Sequence, residues 1–356
     1  MSTLKTSNIQ HASAASAAIT LDANGQATLN GLAYPTSGSL SGRNRIINGD
    51  MRIDQRNAGA SITTAAGNNF PVDRWIVFDA VGSKFTSQRE SSIVPSRFTN
   101  SLRVTSSAAT TPGSADYYFV CQRIEGFNAA DLGFGSASAQ SITVSFWVRS
   151  SLTGTFSGSI GNTSFTRAYP FTYSISSANT WEQKSVTIPG DTSGTWATDN
   201  TSGLQVVFDL GSGSSRQGTA GAWTSSDHRA VTGSVQVVAT NGATFYITGV
   251  QLEAGSVATP FERRSYGQEL SLCERYYEMN TTTQDLYRSY QSYSSGSSSW
   301  AYLWKTEKRV APTVTYSQTN FGTPIVDIYG SYWKRSGAGG PLTVAVYGPI
   351  TADAEL

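Results

Sequence analysis

The 356-residue chain carries 25 Lys and Arg against 24 Asp and Glu, a formal net charge of +1, and only 14% of its residues are charged. A near-neutral chain without a Lys/Arg block has no general attraction to a phosphate backbone, so nucleic acid is not an expected partner. No apolar run approaches the roughly 18 residues that span a bilayer, and Met1 to Gln10 lack the apolar centre of a signal peptide. Synthesis in the cytoplasm without membrane insertion is the expectation.

The 34 glycines and many Ser, Thr, Asn and Ala tracts separate short apolar runs, the texture of brief strands joined by turns. Seventeen Tyr, 15 Phe and 8 Trp supply apolar surface for a packed core. The expected class is therefore all-β. It begins with an extended N-terminal arm and linker over 1–42, where Asn24-Gly25 between two short extended runs signals a hairpin. A lone two-stranded ribbon is marginal in water, so Ile19, Leu21 and Leu29 need a surface from other chains or another protein. Residues 35–42 (PTSGSLSG) read as a connector.

From 43 to 265, strand patterns recur at the spacing of a β-sandwich. In Ser141 to Arg149 (SITVSFWVR), Ile142, Val144, Phe146 and Val148 share one face, while Thr143, Ser145, Trp147 and Arg149 share the other. By the same rule Leu204, Val206, Phe208 and Leu210 point inward, and Gln205, Val207 and Asp209 outward. Tyr266 to Glu278 is the one stretch with plausible helical spacing, through Leu270, Cys273 and Tyr277. Residues 266–356 then close the chain as a small C-terminal β domain.

Catalytic chemistry is sparse. The two histidines, His11 and His228, have no evident companion, and no nucleophile elbow, phosphate loop or metal-ligand spacing occurs. Neither a catalytic residue, a metal nor a cofactor is assigned. Cys121 and Cys273, far apart in sequence, read as buried thiols. Scattered carboxylates keep open a glycosidase pair, which spacing cannot identify.

The aromatics are more informative. Trp300, Tyr302 and Trp304 alternate, and Trp333 follows in a similar run, so strands would project them as a row able to meet sugar rings. The competing reading is a small core or a subunit seam. Trp147 stands out because its strand has a complete apolar face without it, leaving it for a ligand groove or a neighbouring subunit. These five are the candidate ligand-binding residues.

Several stretches together resemble bacteriophage tail-fibre and virion appendage proteins with a jelly-roll domain like that of carbohydrate-binding modules. They are NRIINGDMRID (Asn44 to Asp54), Asp73-Arg74-Trp75, SLRV (Ser101 to Val104), QRIE (Gln122 to Glu125), SFWVR (Ser145 to Arg149), FYITGVQLEAGSVATPFE (Phe245 to Glu262) and ERYYE (Glu274 to Glu278). APTVTY (Ala311 to Tyr316), ITADAEL (Ile350 to Leu356) and the segment Thr6 to Gly31 extend the likeness over nearly the whole chain. The resemblance implies a central jelly roll, a homotrimer, a virion location, attachment to a tail or other virion protein through Ile9, Ile19, Leu21 and Leu29, and binding of a host-surface glycan or other receptor without catalysis. A capsid-surface fibre or decoration protein and a polysaccharide depolymerase are the alternatives. Modules of this shape often hold calcium near an N-G-D motif, matched here by Asn48 and Asp50. Thr248 stands where a second acidic residue would be expected, so no metal is assigned.

Overall fold

In a computed structural model the described residues are 7–10, 17, 19–21, 27–29, 32–33, 42–280, 289–291, 298–315, 324–335 and 350–356; the side chains of 27–29, 32–33, 289–291, 298–301 and 332–335 lie outside the description. Two compact units arise: Met1–Arg52 with Gly59–Arg263, and Ile53–Ala58 with Arg264–Leu356.

The arm contains four short antiparallel strands, Asn8–Ile9, Ile19–Leu21, Ala27–Leu29 and Leu32–Ala33, paired in that order. Ile19 lies opposite both Ile9 and Leu29, so the hairpin expected around Asn24-Gly25 forms, although those two residues are not described. Ile9 is 51% exposed. Ile19 and Leu21 are half-buried or nearly so, and the Leu29 side chain is not described.

The rest of the first unit is a sandwich of two six-stranded antiparallel sheets, the expected all-β architecture. The first sheet runs in the order Ala168–Ile175, Gly154–Gly161, Ser202–Ser212, Tyr117–Glu125, Trp75–Asp79, Gly67–Val72; the second runs Glu182–Ile188, Ile142–Ser150, Thr244–Ala254, Ser101–Ser106, Phe85–Glu90, Ile62–Thr63. Alternation drives the packing, because successive side chains leave opposite faces of a strand. Ile142, Val144, Phe146 and Val148 from one sheet meet Leu204, Val206, Phe208 and Leu210 from the other in one continuous apolar core, as the sequence pattern predicts. Rings of Phe146 and Phe208 touch edge to face at 4.8 Å.

The N-R-I-I-N-G-D segment is a polar clasp at the start of the sandwich. The Asn44 side chain accepts from the Ile46 and Leu252 backbone N–H groups and donates to the Val250 carbonyl. Gln122 exchanges two 2.7 Å bonds with Ile47, and the Trp75 indole N–H donates to the Asn48 carbonyl at 2.9 Å. These paired amide, indole and backbone groups fix the segment without a strand ladder.

One sequence expectation changes. Gln205, Val207 and Asp209 do face away from the core, but they are buried rather than solvated. The Gln205 amide donates to the Asn162 and Thr163 carbonyls of a covering turn, and Val207 joins a second apolar cluster with Ile76, Phe119, Cys121, Phe165 and Ala168.

The second unit has helix Tyr266–Glu274, capped by the Ser265 hydroxyl; it is shorter than the expected Tyr266 to Glu278, because Tyr277 and Glu278 pair instead in a strand with Asp353 and Ala352. A three-stranded sheet (Tyr277–Asn280, Ile350–Asp353, Thr313–Thr315) and a four-stranded one (Ser289–Gln291, Ser298–Leu303, Gly330–Arg335, Ile325–Val326) complete it. Both cysteines are free and buried.

Candidate functional site

The outer face of the second sheet gathers aromatic, guanidinium and amide groups into two cross-strand rows. In the first row, Arg149 is paired with Tyr246 and Tyr246 with Arg103, which is paired with Gln88. Trp181, just before the Glu182 that pairs with Val148, extends the row, and its ring meets that of Tyr246 at 6.2 Å. The second row holds Gln183, Trp147 and Thr248 side by side, continuing towards Ser101 and Glu90. Adjacent strands lie about 4.8 Å apart, so each row forms a track across the strands.

Trp147 is half-buried, as its spare place on an already complete strand predicts. Its setting depends on a bulge: pairing shifts between Ser145 and Trp147, giving the facing strand an extra residue at Gly249–Val250. Gly249 sits at φ 61°, and a β-carbon there would lie 2.6 Å from the Phe98 ring and 3.1 Å from Trp147. Only glycine lets both rings close on the backbone at this point. The bulge also resets the pleat, so Phe245 and Ile247 before it and Val250 and Leu252 after it all face the core.

Hydrogen-bonding capacity on this face is only partly used. The side chains of Gln88, Gln183 and Trp147 make no hydrogen bond among the described residues, and the Trp181 indole N–H is sheltered without a partner. The Arg149 guanidinium lies 4.9 Å from the Tyr246 ring centroid and anchors its Nε on the Asn179 carbonyl. Such a surface combines flat apolar rings with donors around them, the combination that suits a sugar.

The outer face of the first sheet is different. Phe78, Tyr117 and Phe119 stack on one another at 4.7–5.6 Å, the last two only 4° from parallel. The Arg229 guanidinium sits 4.0 Å from Tyr117 and 4.4 Å from Phe165, held by Asp227, which also pairs with Arg216. These rings spend their faces on each other. On the strand beside Phe119, the buried Asp209 accepts from the hydroxyls of Ser212 and Ser157 and the Gly211 N–H, and burial pushes its carboxyl up to about 7. The Cys121 thiol is likewise pushed up to about 11 by burial.

The C-terminal aromatic row is not an open platform. Tyr302 and Trp304 are 6% and 7% exposed and form a core with Ile350 and Ala352, because their face of the strand is the inner one. The Tyr302 hydroxyl donates to Glu278, and burial holds it far above the ordinary phenol range. Lys308 donates to the same carboxylate at 2.7 Å and sits against the Trp304 ring. The side chains of Trp300 and Trp333 lie outside those described, although their backbones pair directly.

Around the N-G-D motif, Asp50 is 2.6 Å from Arg52, and the Thr248 hydroxyl donates to the Asn100 carbonyl. Among the described residues no group of three His, Cys, Asp or Glu could hold a metal ion. His228 is half-buried, with its ring against Gly218; His11 lies outside the described residues. Apart from Trp147 and Arg149, whose shared face the sequence gives directly, the members of the two rows were missed. No sequence signal links Arg103 to Tyr246 across more than a hundred residues.

No family model and no curated protein matches this chain. Solved structures similar to it include the enzymatically active domain of tailspike protein 4 from bacteriophage CBA120, at 12% identity over 59% of this chain and 21% of that one, with a TM-score of 0.30. A CBM4 module is similar at 15% identity over 58% of this chain and 97% of its own, with a TM-score of 0.28. The CBM22-1 xylan-binding domain from Paenibacillus barcinonensis is similar at 8% identity over 57% and 99%, with a TM-score of 0.26. The matched region thus spans about a fifth of the tailspike chain.

Proposed function

We propose that the protein is a non-catalytic glycan-binding appendage, with the Trp147 face of the second sheet as its sugar-binding surface. The observation that carries this reading is the half-buried Trp147 ring, set by a bulge and flanked by the Gln183 amide and the Trp181 indole N–H, which have no side-chain hydrogen bond among the described residues. A pyranose ring laid on such an indole would gain stacking and apolar burial, while Gln183, Gln88 and the arginines meet its hydroxyls. The stretches resembling phage fibres support a virion fibre attached by its N-terminal arm, and the exposed Ile9 and the thin four-stranded arm fit a surface completed by other chains. A homotrimer is part of this proposal. Light scattering of the full chain should give three times the chain mass.

The binding test is an array of bacterial surface polysaccharides probed with the wild-type protein and Trp147→Ala. Retention by the wild type and loss of about tenfold or more in the variant, at an unchanged melting temperature, is expected. Equal retention by both proteins refutes the site. Release of new reducing ends from a retained polysaccharide would refute the non-catalytic assignment.

A further inference from the structure

We infer that the glycan taken by this face is acidic, and that Arg149 and Arg103 are its paired carboxylate receptors. The inference rests on the glycan-binding reading and adds the ligand class. The two arginines flank Tyr246 in one cross-strand row, so their backbones lie two strand spacings apart, about 10 Å. That separation suits charges recurring along an extended polysaccharide rather than a single anion.

Both guanidiniums are held in place with donors to spare. Arg149 lies along the Tyr246 ring and uses Nε on Asn179, leaving both terminal nitrogens without a partner among the described residues. Arg103 uses Nε on the Thr105 hydroxyl at 3.2 Å and approaches the same ring at 5.8 Å. Glu90 forms an ion pair with one terminal nitrogen at 3.7 Å, beyond hydrogen-bond length, and turns its other oxygen to the Ser92 N–H, so the guanidinium keeps donors for a second carboxylate. A third guanidinium, Arg263, rests over Phe98, which closes on the same glycine as Trp147.

A neutral sugar needs amide and hydroxyl partners, which Gln88 and Gln183 already provide. A planar guanidinium with two free N–H groups is matched to a carboxylate, which it can bind through two parallel bonds. Because stacking and the Nε anchors already restrict both side chains, less rotamer freedom is lost when the anion arrives. One row of the face would therefore hold the ring-borne carboxylates while Trp147, in the adjacent row, takes a sugar face.

The test is affinity electrophoresis and calorimetry of the full chain with polygalacturonate, alginate and hyaluronate, alongside methyl-esterified polygalacturonate and neutral xylan. The expected result is binding of at least one acid polymer that weakens about tenfold or more in the Arg103→Gln/Arg149→Gln protein. Affinity should also fall with added salt, and the methyl ester should bind more weakly than the free acid. The Arg149→Lys protein should recover only part of the affinity, since an ammonium cannot make the two parallel bonds. Melting temperatures of the variants confirm that they are folded. Acid and ester bound alike, with both dependent on Trp147, would overturn the acidic ligand and leave the glycan reading standing. Acid binding that survives both the arginine and the Trp147 substitutions would overturn both. Retention of none of the three acids also overturns the inference, while the array with Trp147→Ala still decides the glycan reading separately.

Discussion

The two outer faces of the sandwich are built from the same kinds of residue and end in opposite states. On the first sheet, Phe78, Tyr117 and Phe119 stack together, and Arg229 closes the stack with Asp227 as its counterion. On the second, Trp147, Trp181 and Tyr246 alternate with Arg149 and Arg103 while several donors remain unused. Aromatic and arginine content alone therefore does not mark a binding face. What separates the two is whether the ring faces and N–H groups have already been used by the protein itself.

The sharpest way to break this comparison is to remove a ring from the closed face. Phe119 is 2% exposed, so Phe119→Ala should lose about 3–5 kcal/mol of unfolding free energy, through lost burial and the cavity left behind. Urea titration gives the stability, and glycan affinity of the folded protein should not change. Tyr117→Ala should lose less stability, because that ring is half-buried, and it too should keep its binding. A selective loss of affinity in either protein would mean that the closed face opens to a ligand.

The next effect comes from the buried carboxyl on the strand beside Phe119. Burial raises Asp209 from an ordinary 3.8 to about 7 in the folded protein. Its neutral form is therefore the one the fold favours: relative stability from this group is complete below about pH 4 and is lost as the pH rises through 7. Asp209→Asn should flatten the decline of urea stability between pH 5 and 8, raising stability at pH 8 by a few kcal/mol at most. An unchanged pH slope would show that the carboxylate is hydrated or paired when ionised.

Sequence patterning made the core legible, because a strand with period-two alternation declares its apolar face whatever it pairs with. Ile142 to Val148 and Leu204 to Leu210 are such cases, as is the place of Trp147 on the spare face. What the other face meets was not legible. Gln205, Val207 and Asp209 look solvated in sequence, yet a turn near Phe165 and the segment carrying Asp227 and Arg229 cover that side. The C-terminal row failed for the same reason: alternation puts Tyr302 and Trp304 on one face without saying that Ile350 and Ala352, about fifty residues later, will close over it. Cross-strand rows such as Trp181, Arg149, Tyr246 and Arg103 depend on long-range register, which leaves no local trace.

The smallest predicted effect tests how far the open face extends. Gln183 lies beside Trp147 on the edge strand, exposed and without a side-chain hydrogen bond, so Gln183→Ala should leave the melting temperature unchanged. If a sugar stacked on Trp147 reaches the sheet edge, the amide donates or accepts one bond with it, and losing that bond should weaken binding by about 0.5–1.5 kcal/mol. Gln88, at the other end of the adjacent row beside Arg103, is the matching probe. Calorimetry of both single variants and of the double variant reads the span of the track. Roughly additive losses place a ligand across all five strands, since separated sites act independently. A loss confined to Gln183 shortens the site to the edge around Trp147, and a loss confined to Gln88 shifts it towards Arg103 and Glu90. Full affinity in the double variant would reduce the site to its rings and guanidiniums, with no amide contribution.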